Sequence, residues 1–242
     1  MRLKQQLKKI PLVRKIFGTF DNQKARDEFV IEALKKVPAG RVLLDAGCGS
    51  QTYRKYCGHL VYKAQDFGQF EVDLAPSMTG WKEKYQYGKI DYIGNIWDID
   101  ESQGAFDVIL CTEVFEHIAF PIETIKEFSR LLKPSGQLIL TAPSNCLRHM
   151  DPFYYYSGFS DRWYEKILPE NGLKIDKMIA VGDYYSWMRA EVGRSMLTAN
   201  FFEAVVLYPA FLLFSLKNKT PVSAATLCEG YHIIATKEDK IH

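Results

Sequence analysis

Val42-Leu-Leu-Asp-Ala-Gly-Cys-Gly-Ser50 is an apolar run that ends in an acid and turns at once through two glycines. Glycine permits positive φ and lets a ligand approach the backbone closely. A dinucleotide fingerprint, G-x-G-x-x-G, would place its third glycine where Thr52 stands, so this turn is not built for a pyrophosphate. Asp45 sharpens the point, because a carboxylate just before the glycines repels a diphosphate and attracts an ammonium or sulfonium group. Asp66 follows 21 residues later, where a carboxylate can grip ribose hydroxyls in an open α/β sheet. The two acids together suit a cationic, nucleoside-bearing ligand. A second group, Glu113, Glu116 and His117, has the spacing i, i+3, i+4, which brings all three side chains to one face if the segment is helical. His117 can take a proton near neutral pH; the alternative is a histidine that merely caps a helix start. The trio also offers the oxygen and nitrogen ligands of a divalent ion such as Mg²⁺ or Zn²⁺. Otherwise Glu113 and Glu116 contact the ligand or cap the helix.

These residues need a frame. Asp21 can cap a helix to about Lys36, with Phe29, Val30, Ala33, Leu34 and Val37 as its apolar face. Short branched runs predict strands at Arg41 to Asp45, Val61 to Gln65, Ile90 to Ile93, Phe106 to Thr112 and Leu138 to Ala142. Ile118 to Leu132 carries apolar residues at helical spacing, stopped by Lys133-Pro-Ser-Gly136. Beyond lie a helix at Asp161 to Leu168, a strand at Leu173 to Val181 and a last strand at Tyr231 to Thr236. Alternating strands and helices predict an α/β fold, a doubly wound, seven-stranded, mostly parallel sheet. The long connection before the last strand predicts a helical insertion at about 184–222.

Several of these motifs occur together, and in order, in the class I S-adenosylmethionine-dependent methyltransferases, which the chain resembles from about Val42 to Ala142. LDAGCGS is similar to that family's cofactor loop, although Gln51 stands where a further glycine is usual. Asp66 resembles its ribose carboxylate, and Gly94-Asn-Ile96 the place of its adenine contact, with asparagine for the usual aspartate. Arg130 to Pro143 is similar to the turn into its fifth strand. The resemblance implies a Rossmann-like fold and S-adenosyl-L-methionine as cofactor. It implies contacts from Asp45, Ala46, Gly47, Cys48 and Gly49, from Asp66 and Phe67, and from Asn95, Ile96, Trp97 and Thr112, with Trp97 stacking on the adenine. It implies His117 and Glu113 at the acceptor side. The E-x-x-E-H pattern is similar to that of metal-using quinone-pathway and small-RNA methyltransferases, which makes Glu113, Glu116 and His117 candidate ligands; the resemblance also implies a ligand from elsewhere in the chain, for which His149 is a loose candidate. Seven aromatic residues between Phe153 and Tyr164 resemble a segment of methyltransferases (type 11-like) of bacterial cell-surface polysaccharide synthesis. The expectation is an in-line O-methylation of a sugar, glycan or lipid-linked small acceptor. The alternatives are a quinone-like or other small metabolite as acceptor, or a non-catalytic module that binds the cofactor alone; the aromatics could equally close the core.

The 242 residues have 47% hydrophobic and 25% charged composition, ordinary for one globular domain over 21–242. The net charge of +2 is uneven: residues 1–20 carry six Lys and Arg and no acid, leaving 25 basic and 29 acidic residues in the rest. Such a body is no nucleic-acid binder. Five scattered cysteines without CxxC spacing suggest neither a disulfide framework nor structural zinc, which fits a cytoplasmic setting. The first residues lack the apolar stretch of a secretion signal and read as a basic amphipathic helix. Residues 197–216 hold one charge, Glu203. That segment predicts a lid, a homodimer interface or, with residues 1–17, contact at the inner face of the membrane; the alternative is a helical hairpin simply packed on the domain beside a solvated basic arm.

Overall fold

The computed structural model describes residues 22–70 and 86–239; the basic arm expected over 1–20 and the cap expected at Asp21 lie outside the described residues. The elements run α1 (Asn22–Lys36), β1 (Val42–Ala46), a 3₁₀ turn (Arg54–Tyr56), β2 (Val61–Asp66), β3 (Tyr92–Ile93) and β4 (Phe106–Thr112). A second 3₁₀ turn (Phe115–His117), α2 (Pro121–Leu131), β5 (Leu132–Pro143), α3 (Asp161–Glu170) and β6 (Leu173–Val181) follow. The chain closes with α4 (Tyr184–Thr198), α5 (Phe201–Leu216), α6 (Pro221–Thr226) and β7 (Gly230–Lys237).

All seven strands form one sheet in the order β3, β2, β1, β4, β5, β7, β6. Pairs β1–β2, β1–β4, β2–β3 and β4–β5 are parallel, and β5–β7 is antiparallel. The strand order reverses between β1 and β4. In open sheets of this kind the crevice at the carboxyl ends of those two strands is the ligand position, and Asp45, Asp66 and Thr112 all stand at carboxyl ends.

β4 is central and buried on both faces, as its unbroken apolar run requires. Its Val108 and Leu110 join Leu43 of β1 and Ile139 of β5 under the apolar face of α1, built from Phe29, Val30, Ala33 and Leu34. Burying each of the larger side chains contributes about 1.5–3 kcal/mol, which fixes the face that α1 presents. At the amino end of the sheet, Asp107 accepts from Val42 N (2.9 Å), Arg41 (2.8 Å) and Lys133 (2.8 Å), joining β1, β4 and β5.

Three boundaries differ from expectation. The helix expected from Ile118 begins at Pro121, because a residue before proline is pushed out of the helical region and Phe120 adopts φ −126°, ψ 67°. Lys133 to Gly136, expected as a stop between helix and strand, lies within β5 as a bulge. There the register jumps from Phe106 opposite Leu132 to Val108 opposite Gln137, and Ser135 takes φ 58°. The third strand is only Tyr92–Ile93.

The chain forms two compact units. The larger, residues 29–70, 86–179 and 230–239, contains the sheet up to Ile179 of β6; the smaller contains residues 22–28 and 180–229. Within the smaller unit the expected insertion is three helices, each opened by a capping box: Asp183 with Ser186, Asn200 with Glu203, and Thr220 with Ser223. The buried Asp183 also accepts from Ser223 Oγ (2.6 Å), tying the start of α4 to that of α6. Among the described residues no helix is long and apolar enough to cross a membrane.

Candidate active site

The turn after β1 is held from below by β2. Gly47 N donates to the main-chain oxygen of Gln65 (3.0 Å) and to its side-chain oxygen (3.1 Å), and Cys48 N donates to the same main-chain oxygen (2.9 Å). Gly49 N and Gly68 N each donate to one carboxylate oxygen of Asp66 at 2.9 Å. Gln65 Nε2 reaches across to Gly94 O (2.7 Å), so the loop carrying Asn95 is tied to the same strand end. Gln65 is a buried polar residue that sequence reasoning passed over; its signal was an amide inside a strand beside the acid.

Both glycines are required by the backbone. Gly47 has φ 70° and Gly49 φ 47°, and a Cβ on Gly47 would stand 2.5 Å from Val114 Cγ2. Gln51, which stands where the resemblance would have glycine, takes a left-handed φ of 55°. Its side chain anchors that strained backbone, donating to Lys89 O (2.8 Å) and accepting from Arg54 (2.8 Å).

Asp45 is buried and accepts from Tyr62 Oη at 2.5 Å. Burial pushes its carboxyl up to about 7, with the charge of Asp66 adding to the rise and the Tyr62 bond opposing it. Asp66 is also raised, chiefly by burial, against the pull of its N–H donors. Asn95 is exposed, Ile96 buried and Trp97 half-buried. The ring of Trp97 meets Phe120 edge to face at 5.1 Å. Phe67 does the same with Phe153 at 4.8 Å. Ala46 and Cys48 are buried, and Thr112 is half-buried where β4 pairs with Thr141 of β5.

Glu113, Glu116 and His117 do not share a helical face. Glu113 has φ 52°, outside the 3₁₀ turn, so the i, i+3, i+4 geometry never forms. Its N–H donates to Thr141 O (2.9 Å) and its carboxylate accepts from Thr141 Oγ1 (2.9 Å), which holds it against β5. The fold supplies a different third member. Donor atoms of Glu116, His117 and His149 lie within 4.8 Å of one another, and Glu113 is not among them. Glu116 Oε1 is 3.6 Å from His117 Nε2. His117 Nδ1 meets Phe153 O at 2.8 Å and His149 Nδ1 meets Leu147 O at 2.8 Å. A carbonyl only accepts, so each Nδ1 carries hydrogen and, in the neutral ring, Nε2 holds the lone pair.

The segment that brings His149 here is sewn to the turn carrying Glu116. Glu116 O accepts from Tyr155 N (2.9 Å) and Tyr156 N (3.2 Å), and Tyr154 Oη donates to Cys146 O (2.8 Å). Gly158, at φ 141°, lies so close to Ser144 that a Cβ would meet that carbonyl carbon at 2.4 Å. The aromatic run expected over the acceptor divides in two. Phe159, Trp163 and Tyr164 pack around buried Phe115 as core, whereas Phe153 and Tyr154 face Phe67 and His149.

A family model described as a methyltransferase domain matches residues 19–188. The ubiquinone biosynthesis O-methyltransferase of Xanthomonas axonopodis pv. citri is 25% identical over 169 residues, covering 68% of this chain and 66% of that protein. Its counterpart in Pseudomonas paraeruginosa is 25% identical over 154 residues, 62% of this chain and 63% of that one. The chain thus spans a little under two thirds of the length of these curated relatives. Geranyl diphosphate C-methyltransferase from Streptomyces coelicolor superposes with a TM-score of 0.51 at 14% identity, over 89% of this chain and 79% of that one. That likeness bears on the fold, which has the sheet order described above. With a family model covering more than half of its residues, the chain belongs to the methyltransferase-domain family.

Proposed function

We propose that the protein is an S-adenosylmethionine-dependent O-methyltransferase whose acceptor is the hydroxyl of a small quinone-like molecule. The cofactor half rests on the glycine turn, locked by the carboxylate of Asp66 beneath an adjacent buried Asp45. The acceptor half rests on the relatives, named for ubiquinone biosynthesis, which favour a quinone-like acceptor over the sugar or glycan suggested by the aromatic run. Phe67, Phe153 and Tyr154 offer the aromatic faces that such a ring would meet.

Bound S-adenosylmethionine would supply a sulfonium methyl for transfer to the acceptor oxygen, with S-adenosylhomocysteine as the leaving product. Asp66 would hold the ribose hydroxyls, Asn95 would accept from the adenine amino group, and Asp45 would place negative charge beside the sulfonium. His117 Nε2 accepts the hydroxyl proton, and Glu116 at 3.6 Å stabilises the imidazolium that forms. The Phe153 carbonyl fixes the ring orientation through Nδ1.

One observation favours a second reading of the acceptor side. Glu116, His117 and His149 present one carboxylate and two imidazoles at mutual distances within 4.8 Å, and both rings are oriented through Nδ1 by backbone carbonyls, the usual support of a metal-bound histidine. These donors fit a divalent ion, which would polarise the acceptor hydroxyl in place of a general base. Glu113, bonded to Thr141, has no part in that set.

Calorimetry with S-adenosylmethionine tests the first half. Binding is expected in the wild type and lost in Asp66→Ala; binding that survives Asp66→Ala contradicts the assignment. Turnover with a catechol-type acceptor tests the second: S-adenosylhomocysteine should accumulate, and its absence with a bound cofactor returns the reading to a non-catalytic module.

A further inference from the structure

We propose that the outward face of α5 docks on an anionic lipid surface, with the helix lying in the headgroup plane. The inference is independent of the reaction proposed above. α5 has the sequence FFEAVVLYPAFLLFSL, apolar on every side, and a helix of that kind is ordinarily buried. Phe211 is buried, but Phe202 is 79% exposed, Val206 75%, Leu213 55% and Leu216 80%. With Pro209 between them, these residues recur at intervals of four and three and form one continuous stripe. Phe201 and Val205 lie open beside it. Contiguous exposed apolar surface of this kind marks an interaction site.

The chemistry around the stripe selects the occupant. A helix that pairs with a second copy in water carries charged residues flanking its apolar seam. From Ala204 to Leu216 there is no charged side chain at all, and Glu203 is turned back onto Asn200 N (2.9 Å) as part of the cap. Cations stand at the end instead: Lys217 and Lys219 follow the helix and are exposed, and elsewhere in the sequence residues 1–20 hold six Lys and Arg without an acid. An apolar face bordered by cations fits the boundary between acyl chains and anionic headgroups. Sixteen residues make a helix of about 24 Å, shorter than the ~30 Å hydrocarbon core, so α5 lies on the bilayer rather than through it.

Co-sedimentation of the full chain with phosphatidylcholine vesicles, with and without phosphatidylglycerol, reads the proposal directly. The wild type should bind the anionic vesicles at least about ten-fold more tightly than the neutral ones, and Phe202→Glu/Val206→Glu/Leu213→Glu should lose about ten-fold or more. Circular dichroism and a thermal melt check that this variant folds. A second, gentler variant, Val206→Trp, should gain tryptophan fluorescence that brominated acyl chains quench. Equal binding by wild type and triple variant, or no quenching at position 206, overturns the proposal. So does a wild-type dimer in analytical ultracentrifugation that the triple variant converts to monomer, because the stripe is then filled by a second copy.

Discussion

In the proposed reaction, one lone pair on His117 decides which chemistry the acceptor side performs. Nε2 can take a proton or bind an ion, but not both at once, and substitution separates the two roles. If it is the base, His117→Ala should lower turnover by about 10²- to 10⁴-fold with cofactor binding unchanged, and His149→Ala should have a much smaller effect. If an ion is held, both substitutions and a chelator should abolish turnover together, and zinc or magnesium should restore it to the wild type; steady-state rates with and without chelator check this. Asp45 gives a second expectation at this scale. Its carboxyl is raised to about 7 by burial, so its contribution to stability is fullest below the unfolded value of about 3.9 and is lost as pH rises towards 7. A cationic ligand beside it favours the carboxylate. Cofactor binding at pH 6 to 7 should therefore release a proton, read by calorimetry in buffers of different ionisation heat, and Asp45→Asn should remove that release. Gly47→Ala combines a left-handed backbone with a 2.5 Å contact to Val114, and should weaken cofactor binding about ten-fold or more. Adding Val114→Ala should recover the steric part only, since φ 70° still penalises alanine. At this scale the sequence was legible in position where a residue belongs to its own strand end, as for Asp45 and Asp66. It misled at Glu113, because spacing of i, i+3, i+4 has meaning only on a helix and a φ of 52° ends any helix there. His149 gained its place through tertiary folding, which no spacing encodes.

At the level of elements, Asp107 joins three strands, and its removal should be felt by all of them. Burial alone would raise its carboxyl, but the bonds from Lys133, Val42 N–H and Arg41 together hold it below the usual range. The stability it contributes is present above the unfolded value near 3.9 and is lost as pH falls through the lower folded value. Asp107→Ala should cost about 2 kcal/mol in urea melts at neutral pH, with the difference from wild type shrinking in acid. Two strands were legible to the residue, the continuous apolar Phe106–Thr112 and the more mixed Leu173–Val181, which have the expected bounds. Elements shaped by local exceptions were not. β5 runs through a bulge that looks like a stop signal, and α2 is delayed by the constraint Pro121 places on Phe120.

For the whole molecule, a near-neutral charge of +2 hides a basic start set against a mildly acidic remainder. The methyltransferase-domain match, residues 19–188, stops within α4, so most of the insertion and its exposed apolar helix lie outside it. The residues proposed for cofactor and acceptor lie inside the match, and the helix proposed to dock on lipid lies outside it. The most direct measurement of the central claim is formation of S-adenosylhomocysteine, followed by mass spectrometry, when the protein is given S-adenosylmethionine and a hydroxylated, quinone-like acceptor. The account predicts equal amounts of S-adenosylhomocysteine and O-methylated acceptor, both lost in Asp66→Ala. Cofactor consumption with no methylated acceptor, or methylation undiminished in Asp66→Ala, would contradict it.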